Sequence, residues 1–322
     1  MKRFILLALL FAALAIPVSA EHIIPPYGYG VSEILFTGFV GGFDVLSNGN
    51  FIVFEGQDIY EITPYGTRVS ATPIYSFEST VWGSFVRVDE NSGRIYFGES
   101  GNGTIKSIAL DGSDLQEVAT VPFNYDFVLG PEGNKYVVSG SSVYLLGENG
   151  PDEILRAPGA SGPVAVDVDG NLYYGTASSI WGTIGGQCIV KFSAEQVAGA
   201  VGDGVLSVED GIKLQDDIDG PSSFAIDSSG LYYTQSIQYP GQIMKYSDGI
   251  SSIFATADPS AGYSWITTIR TNAATGAISV LVGTSDMTYI TTLSPGAPPV
   301  PEPCSIAALA LGLGAIFVRR RR

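Results

Sequence analysis

The chain has 322 residues, with 32 acidic against 16 basic side chains and a formal charge of −16 at pH 7. Like charge repels both nucleic acid and anionic lipid, so neither suits this chain as a partner. His22 is the only histidine, and Cys188 and Cys304 are the only cysteines. That one histidine lies just past the small-residue run ending at Ala20, beside an expected cleavage site, which nearly excludes a His-dependent zinc site and a Ser-His-Asp triad, and no disulfide framework is available.

Residues 1–20 divide into a charged start at Lys2 and Arg3, an apolar run from Phe4 to Ile16, and the small-residue stop Val18-Ser19-Ala20. This is the layout of a secretory signal, with signal peptidase expected to cut before Glu21. The apolar run falls short of the about 20 residues that a spanning helix needs. A short N-terminal segment, 21–31, leads into a body at 32–294.

The body repeats itself. Val164-Ala-Val-Asp167-Val-Asp-Gly170-Asn-Leu-Tyr-Tyr174 matches Phe224-Ala-Ile-Asp227-Ser-Ser-Gly230-Leu-Tyr-Tyr233, and looser copies surround Gly49, Gly93, Gly133 and Gly276. Each copy is an apolar strand, a tight Asp/Asn/Gly turn, and a second strand rich in Tyr, Ile and Val. The six turn glycines are spaced by 44, 40, 37, 60 and 46 residues, close to the repeat of a propeller blade at about 40–50 residues. Two further strands follow most hairpins, as in 104–109 with 115–121 and 242–246 with 251–255. The spacing predicts an all-β, six-bladed β-propeller. The sixth repeat supplies only three strands, so Glu33-Ile-Leu-Phe-Thr37 is expected to close the last blade and bring the chain ends together.

The hairpin pattern resembles the NHL and gluconolactonase/senescence-marker propellers. That resemblance implies a divalent metal in the channel, held by Asn and Asp five positions before the Asp that closes each inner strand. The corresponding positions here are Gly41, Ser84, Tyr125, Gly162, Ser222 and Thr267. None carries a carboxylate, which weighs against a metal-dependent lactonase. A lactonase-like hydrolase with relocated ligands stays as one alternative, and a scaffold for protein partners as another.

Two other features bear on function. Asp216, Asp217 and Asp219, with Glu209 and Asp210 nearby, form an acidic stretch in the long fourth repeat. It reads either as a solvated loop or as a weak calcium clip, and no other cofactor is indicated. In a propeller, the start of each innermost strand and the loop between strands two and three share one face. Trp82, Tyr125 and Trp265 fall at such starts, while Trp181 and Tyr239 fall in such loops. These rings either pack between blades or form a face on which a sugar ring can stack.

The chain closes with a Pro-rich linker at 295–303 that ends in Pro301-Glu302-Pro303. An uncharged stretch follows at 304–318, expected to be a transmembrane helix, and then the basic tail Arg319 to Arg322 at 319–322, expected to be cytoplasmic. Without the two ends, the body keeps 10 basic and 31 acidic residues, near −21. The three elements in this order resemble the PEP-CTERM sorting tail of Gram-negative bacteria, with Cys304 standing where that family more often has Ser or Ala. The resemblance implies that an exosortase recognises Pro301-Glu302-Pro303 and processes the tail, usually in organisms that make exopolysaccharide. The expected product is an exported envelope, cell-surface or matrix protein whose propeller binds polysaccharide without catalysis.

Overall fold

A computed structural model describes residues 21–78, 83–180, 182–202, 204–235, 239–262 and 264–296. The signal segment, the Pro-Glu-Pro tail, Trp82 and Trp181 lie outside the described residues. Among the described residues no helix is long and apolar enough to cross a membrane.

Alternating apolar positions turn the repeats into six sheets, taken in chain order around a ring and antiparallel apart from one short added strand in the third. The innermost strands are Val40–Val45, Gly83–Asp89, Asn124–Leu129, Val164–Val166, Phe224–Asp227 and Trp265–Asn272. They belong to blades one to six. All six turn glycines, Gly49, Gly93, Gly133, Gly170, Gly230 and Gly276, have positive φ. Those hairpins lie on one face of the ring, the hairpin face. The starts of the innermost strands and the loops between second and third strands lie on the other, the mouth face.

The blades are held by apolar layers packed between neighbouring sheets. Phe54 of blade one and Phe97 of blade two both contact Phe77, with ring centroids 4.8 and 5.4 Å apart respectively. Phe85 and Phe127 stack at 5.0 Å between blades two and three. Fully buried rings of this size dominate the core energetics.

Closure follows the expectation. Tyr29–Phe36 pairs antiparallel with Thr288–Pro295 over eight registered positions, from Tyr29 opposite Pro295 to Phe36 opposite Thr288. It is the fourth strand of blade six, so the first and last strands of the ring share one sheet. The Gly296 N–H donates to the Gly28 carbonyl at 3.0 Å, so the entry to the ring and the exit from it lie side by side on the hairpin face. Upstream, Ile23–Ile24 adds a fifth strand to blade five, with Ile23 opposite Ala257.

Blade four departs from the expected pattern. Its extra length lies partly in the mouth-face loop between Leu172–Gly175 and Gln187–Phe192, but mostly on the hairpin face. There a helix, Ala194–Ala200, opens on a capping box made by Ser193 and Gln196. A short strand, Leu206–Ser207, then pairs in parallel with the outer strand of blade three. The fourth strand of blade four arrives only at Ile212–Ile218.

The closing strand gives a direct test. Ile34 is buried against Leu281 and Ile290, whereas Leu35, one step along, is exposed. Ile34→Ala should cost about 2–5 kcal/mol in urea unfolding, while Leu35→Ala should stay within about 0.5 kcal/mol. Equal effects would mean that this strand does not close the ring.

Candidate functional site

The mouth of the channel is built by irregularities in the innermost strands. Pairing with the second strand shifts between Val40 and Gly42, Gly83 and Val86, Asn124 and Asp126, and Ile266 and Thr268. A shift of this kind leaves an extra residue outside the ladder and re-aims its side chain. The extruded residues include Gly41, Ser84, Tyr125 and Thr267, four of the six positions at which the lactonase resemblance would place metal ligands. Their geometry suits a channel site, but their chemistry does not suit a hard cation. Ser84 hydrogen-bonds Asn124, and the Thr267 hydroxyl donates to the Leu281 carbonyl at 3.5 Å. At Ser222, the hydroxyl lies 2.7 Å from Thr234 Oγ1 and donates to the Ile266 carbonyl at 3.1 Å. These residues do not fit a divalent metal that needs several carboxylate or carbonyl oxygens.

Tyr125 uses its extruded position differently. It is 40% exposed, and its hydroxyl donates at 3.2 Å to the Ser222 carbonyl, carrying blade three across to blade five. Desolvation by the channel wall, reinforced by the charge of Asp126, pushes the phenol well above its ordinary range and keeps it a donor. On blade six, Trp265 pairs with Gly283, and a Cβ there would come within 2.4 Å of the indole Nε1. Only glycine lets the indole lie this close, and 37% of Trp265 stays exposed. Tyr239, on the mouth-face loop of blade five, is 51% exposed and its hydroxyl donates to the Pro259 carbonyl at 3.0 Å. Tyr125, Tyr239 and Trp265 therefore lie on the mouth face. Four exposed apolar residues that the sequence reading passed over, Phe39, Phe123, Ile180 and Ile184, lie on the same face.

Deeper in the channel stands a charged group that the sequence reading also passed over. Arg87 donates from Nη2 to Asp126 Oδ1 at 2.8 Å and from Nε to the Phe127 carbonyl at 2.6 Å. Asp44 accepts from the Val88 N–H at 2.7 Å and lies 3.7 Å from Arg270 Nε. The Ser223 hydroxyl accepts from the Ile269 N–H at 3.1 Å and from Arg270 at 3.3 Å. Asp44 and Asp126 on innermost strands, and Ser223 just before one, thus each reach to a backbone N–H of the next innermost strand, with Asp126 approaching Val164 N at 3.4 Å. Burial raises the pKa of both Asp44 and Asp126 above the ordinary 3.8, and the Arg87 charge and the backbone N–H groups only partly offset it. The signal in the sequence was a lone charge inside an apolar innermost strand, which must find a partner.

The acidic stretch does not act as one group. Glu209 and Asp210 lie on the hairpin face, where Asp210 accepts from the Ser207 N–H and hydroxyl at 2.7 and 2.8 Å. Asp216 is exposed and pairs with Lys213 at 3.8 Å. Asp217 and Asp219 instead reach the mouth-face loop of blade four, accepting at 2.9 Å from the N–H groups of Gly186 and Gly185. Among the described residues no three His, Cys, Asp or Glu side chains converge.

Neither protein-family models nor curated protein sequences match the chain. Solved structures do. A gluconolactonase from Xanthomonas campestris has a TM-score of 0.61 at 13% identity, covering 86% of this chain and 96% of its own. The PQQ domain of a pyranose dehydrogenase from Coprinopsis cinerea reaches 0.59 at 10% identity, with 85% and 98% covered. A chain of the nidogen/laminin complex reaches 0.56 at 12% identity, with 73% and 85% covered. The likeness establishes the six-bladed propeller fold, and nothing finer.

The channel charges have measurable consequences. Arg87→Ala leaves Asp126 buried without its cation and should cost about 3–5 kcal/mol in urea unfolding. Because burial raises both folded carboxyl pKa values, their stabilising contribution is full below the ordinary 3.8 and is lost as pH rises through the raised values. Asp44→Asn should therefore flatten the fall in unfolding free energy above that pH. A profile as steep as that of the parent would remove Asp44 from this role.

Proposed function

We propose that the chain is an exported, non-catalytic propeller that binds polysaccharide or another matrix component across its mouth face. The observation that carries this reading is the set of half-exposed amphipathic rings, Tyr125, Tyr239 and Trp265, on one face around a channel mouth rich in hydroxyls. Flat rings stack on the C–H faces of sugars while neighbouring polar groups meet the sugar hydroxyls. Export through the signal at 1–20 and sorting through Pro301-Glu302-Pro303 by an exosortase belong to the same proposal. Two of the fold relatives are a gluconolactonase and a pyranose dehydrogenase domain, and a sugar-binding mouth accords with that company.

A second reading is favoured by Phe39, Phe123, Ile180 and Ile184, whose exposure on the same face suits a protein partner. The nidogen/laminin complex is a fold relative in which a propeller belongs to a protein assembly. The lactonase-like hydrolase gains no comparable support, because Asp44 and Asp126 are held by arginines and backbone amides.

The deciding experiment mixes the purified protein with exopolysaccharide from the producing organism and measures retention across concentrations. Saturable retention is expected, weakened at least about tenfold by Trp265→Ala and by Tyr125→Ala, as for central anchor residues at an interface. Trp265→Phe should keep much of it. No retention, or retention indifferent to both variants, would sink the glycan reading and turn the search to protein partners.

A further inference from the structure

We infer that the mouth-face loop of blade four holds a hard divalent cation, calcium, between Asp219, Asp217 and Gln187. This goes beyond the binding function proposed above and does not depend on it.

Asp219 is 2% exposed, and only one of its carboxylate oxygens is used. Oδ1 accepts from the Gly185 N–H at 2.9 Å, whereas Oδ2 is buried with no hydrogen-bond partner. Gln187 is 6% exposed, and its Oε1 is likewise buried and unpartnered. It stands opposite Ile218 in the ladder, next to Asp219 along the chain. Both orphaned atoms are oxygens of the kind that a hard cation takes as ligands.

The loop brings a second carboxylate to the same place. Gly185 and Gly186 have φ of +73° and +75°, and their consecutive N–H groups hold Asp219 and Asp217 respectively. A Cβ on Gly185 would come within 2.8 Å of Asp217 Oδ1, so the carboxylate rests directly on the glycine pair. Among the described residues no Lys, Arg or His forms an ion pair with Asp217 or Asp219. Lys213 is engaged by Asp216, which stands outside the site.

A buried carboxylate with an empty coordination position and no basic partner is costly unless a cation supplies the missing charge. Calcium takes six to eight oxygens from carboxylates, side-chain amides, backbone carbonyls and water in flexible geometry, which two aspartates and a glutamine satisfy in part. Magnesium demands a stricter octahedron and gives up water reluctantly. Extracellular calcium modules bind at about 10⁻⁴–10⁻³ M, and a site with two carboxylates belongs at that weak end.

The test is thermal unfolding of the purified protein in chelator and in millimolar calcium, with isothermal titration calorimetry on calcium alone. Calcium should raise the melting temperature by several degrees and bind with one site, and magnesium should do less. Asp219→Asn should abolish the rise and, in chelator, melt no lower than the parent, because it removes an uncompensated buried charge. Asp217→Asn, at an exposed position that leaves the fold intact, should weaken calcium binding at least tenfold, so the outcome does not hang on the folding of a single variant. A melting temperature indifferent to calcium would overturn the proposal. So would a calcium shift that survives in both variants.

Discussion

Every sheet in this molecule must end somewhere, and a ring of six sheets has to meet itself without leaving a bare edge. The pairing of Tyr29–Phe36 with Thr288–Pro295 meets that demand, because the strand that completes blade six also leads into blade one. Unpaired backbone on an exposed edge invites association with other chains. Closure here also fixes the angular position of all six innermost strands, and therefore the channel. The bulges that extrude Gly41, Ser84, Tyr125 and Thr267 work only because the ring holds those strands at a common height.

Much of this was legible because the propeller repeats its punctuation. A turn glycine in each of six repeats, followed by a Tyr- and Val-rich strand, marked the hairpins, and a three-stranded last repeat showed that the closing strand had to come from the N-terminal side. What escaped notice was aperiodic. The helix Ala194–Ala200 spans too few residues to show an amphipathic period, although Ser193 and Gln196 announced its start. Asp44, Arg87, Asp126 and Arg270 are single charges in four separate repeats. Only ring geometry brings them together. The acidic stretch is divided for the opposite reason, since the strand Ile212–Ile218 leaves Glu209 and Asp210 on one face and carries Asp217 and Asp219 to the other.

The channel divides its chemistry by depth. At the mouth the innermost strands present glycine, hydroxyls and a tyrosine, and most of their polar atoms are tied to the wall or to a neighbouring blade. Below, carboxylates and guanidinium groups are spent on joining one innermost strand to the next. A residue that serves as a rivet between blades is poorly placed to serve as a nucleophile or a base, since moving its proton would disturb the joint. The accessible groups are at the rim, where Tyr125, Tyr239 and Trp265 offer flat surface backed by hydrogen-bonded hydroxyls or by a glycine.

The position of the chain ends has a mechanical consequence. Gly296 leaves the hairpin face directly from Thr288–Pro295, a strand paired on both flanks. A pull on the chain beyond Gly296 away from that face acts along the strand axis, at right angles to its ladder hydrogen bonds. Force in that direction shears both ladders together instead of unzipping them bond by bond. A load taken up at the mouth and a restraint applied after Gly296 would thus strain the fold along the direction in which its sheets resist best.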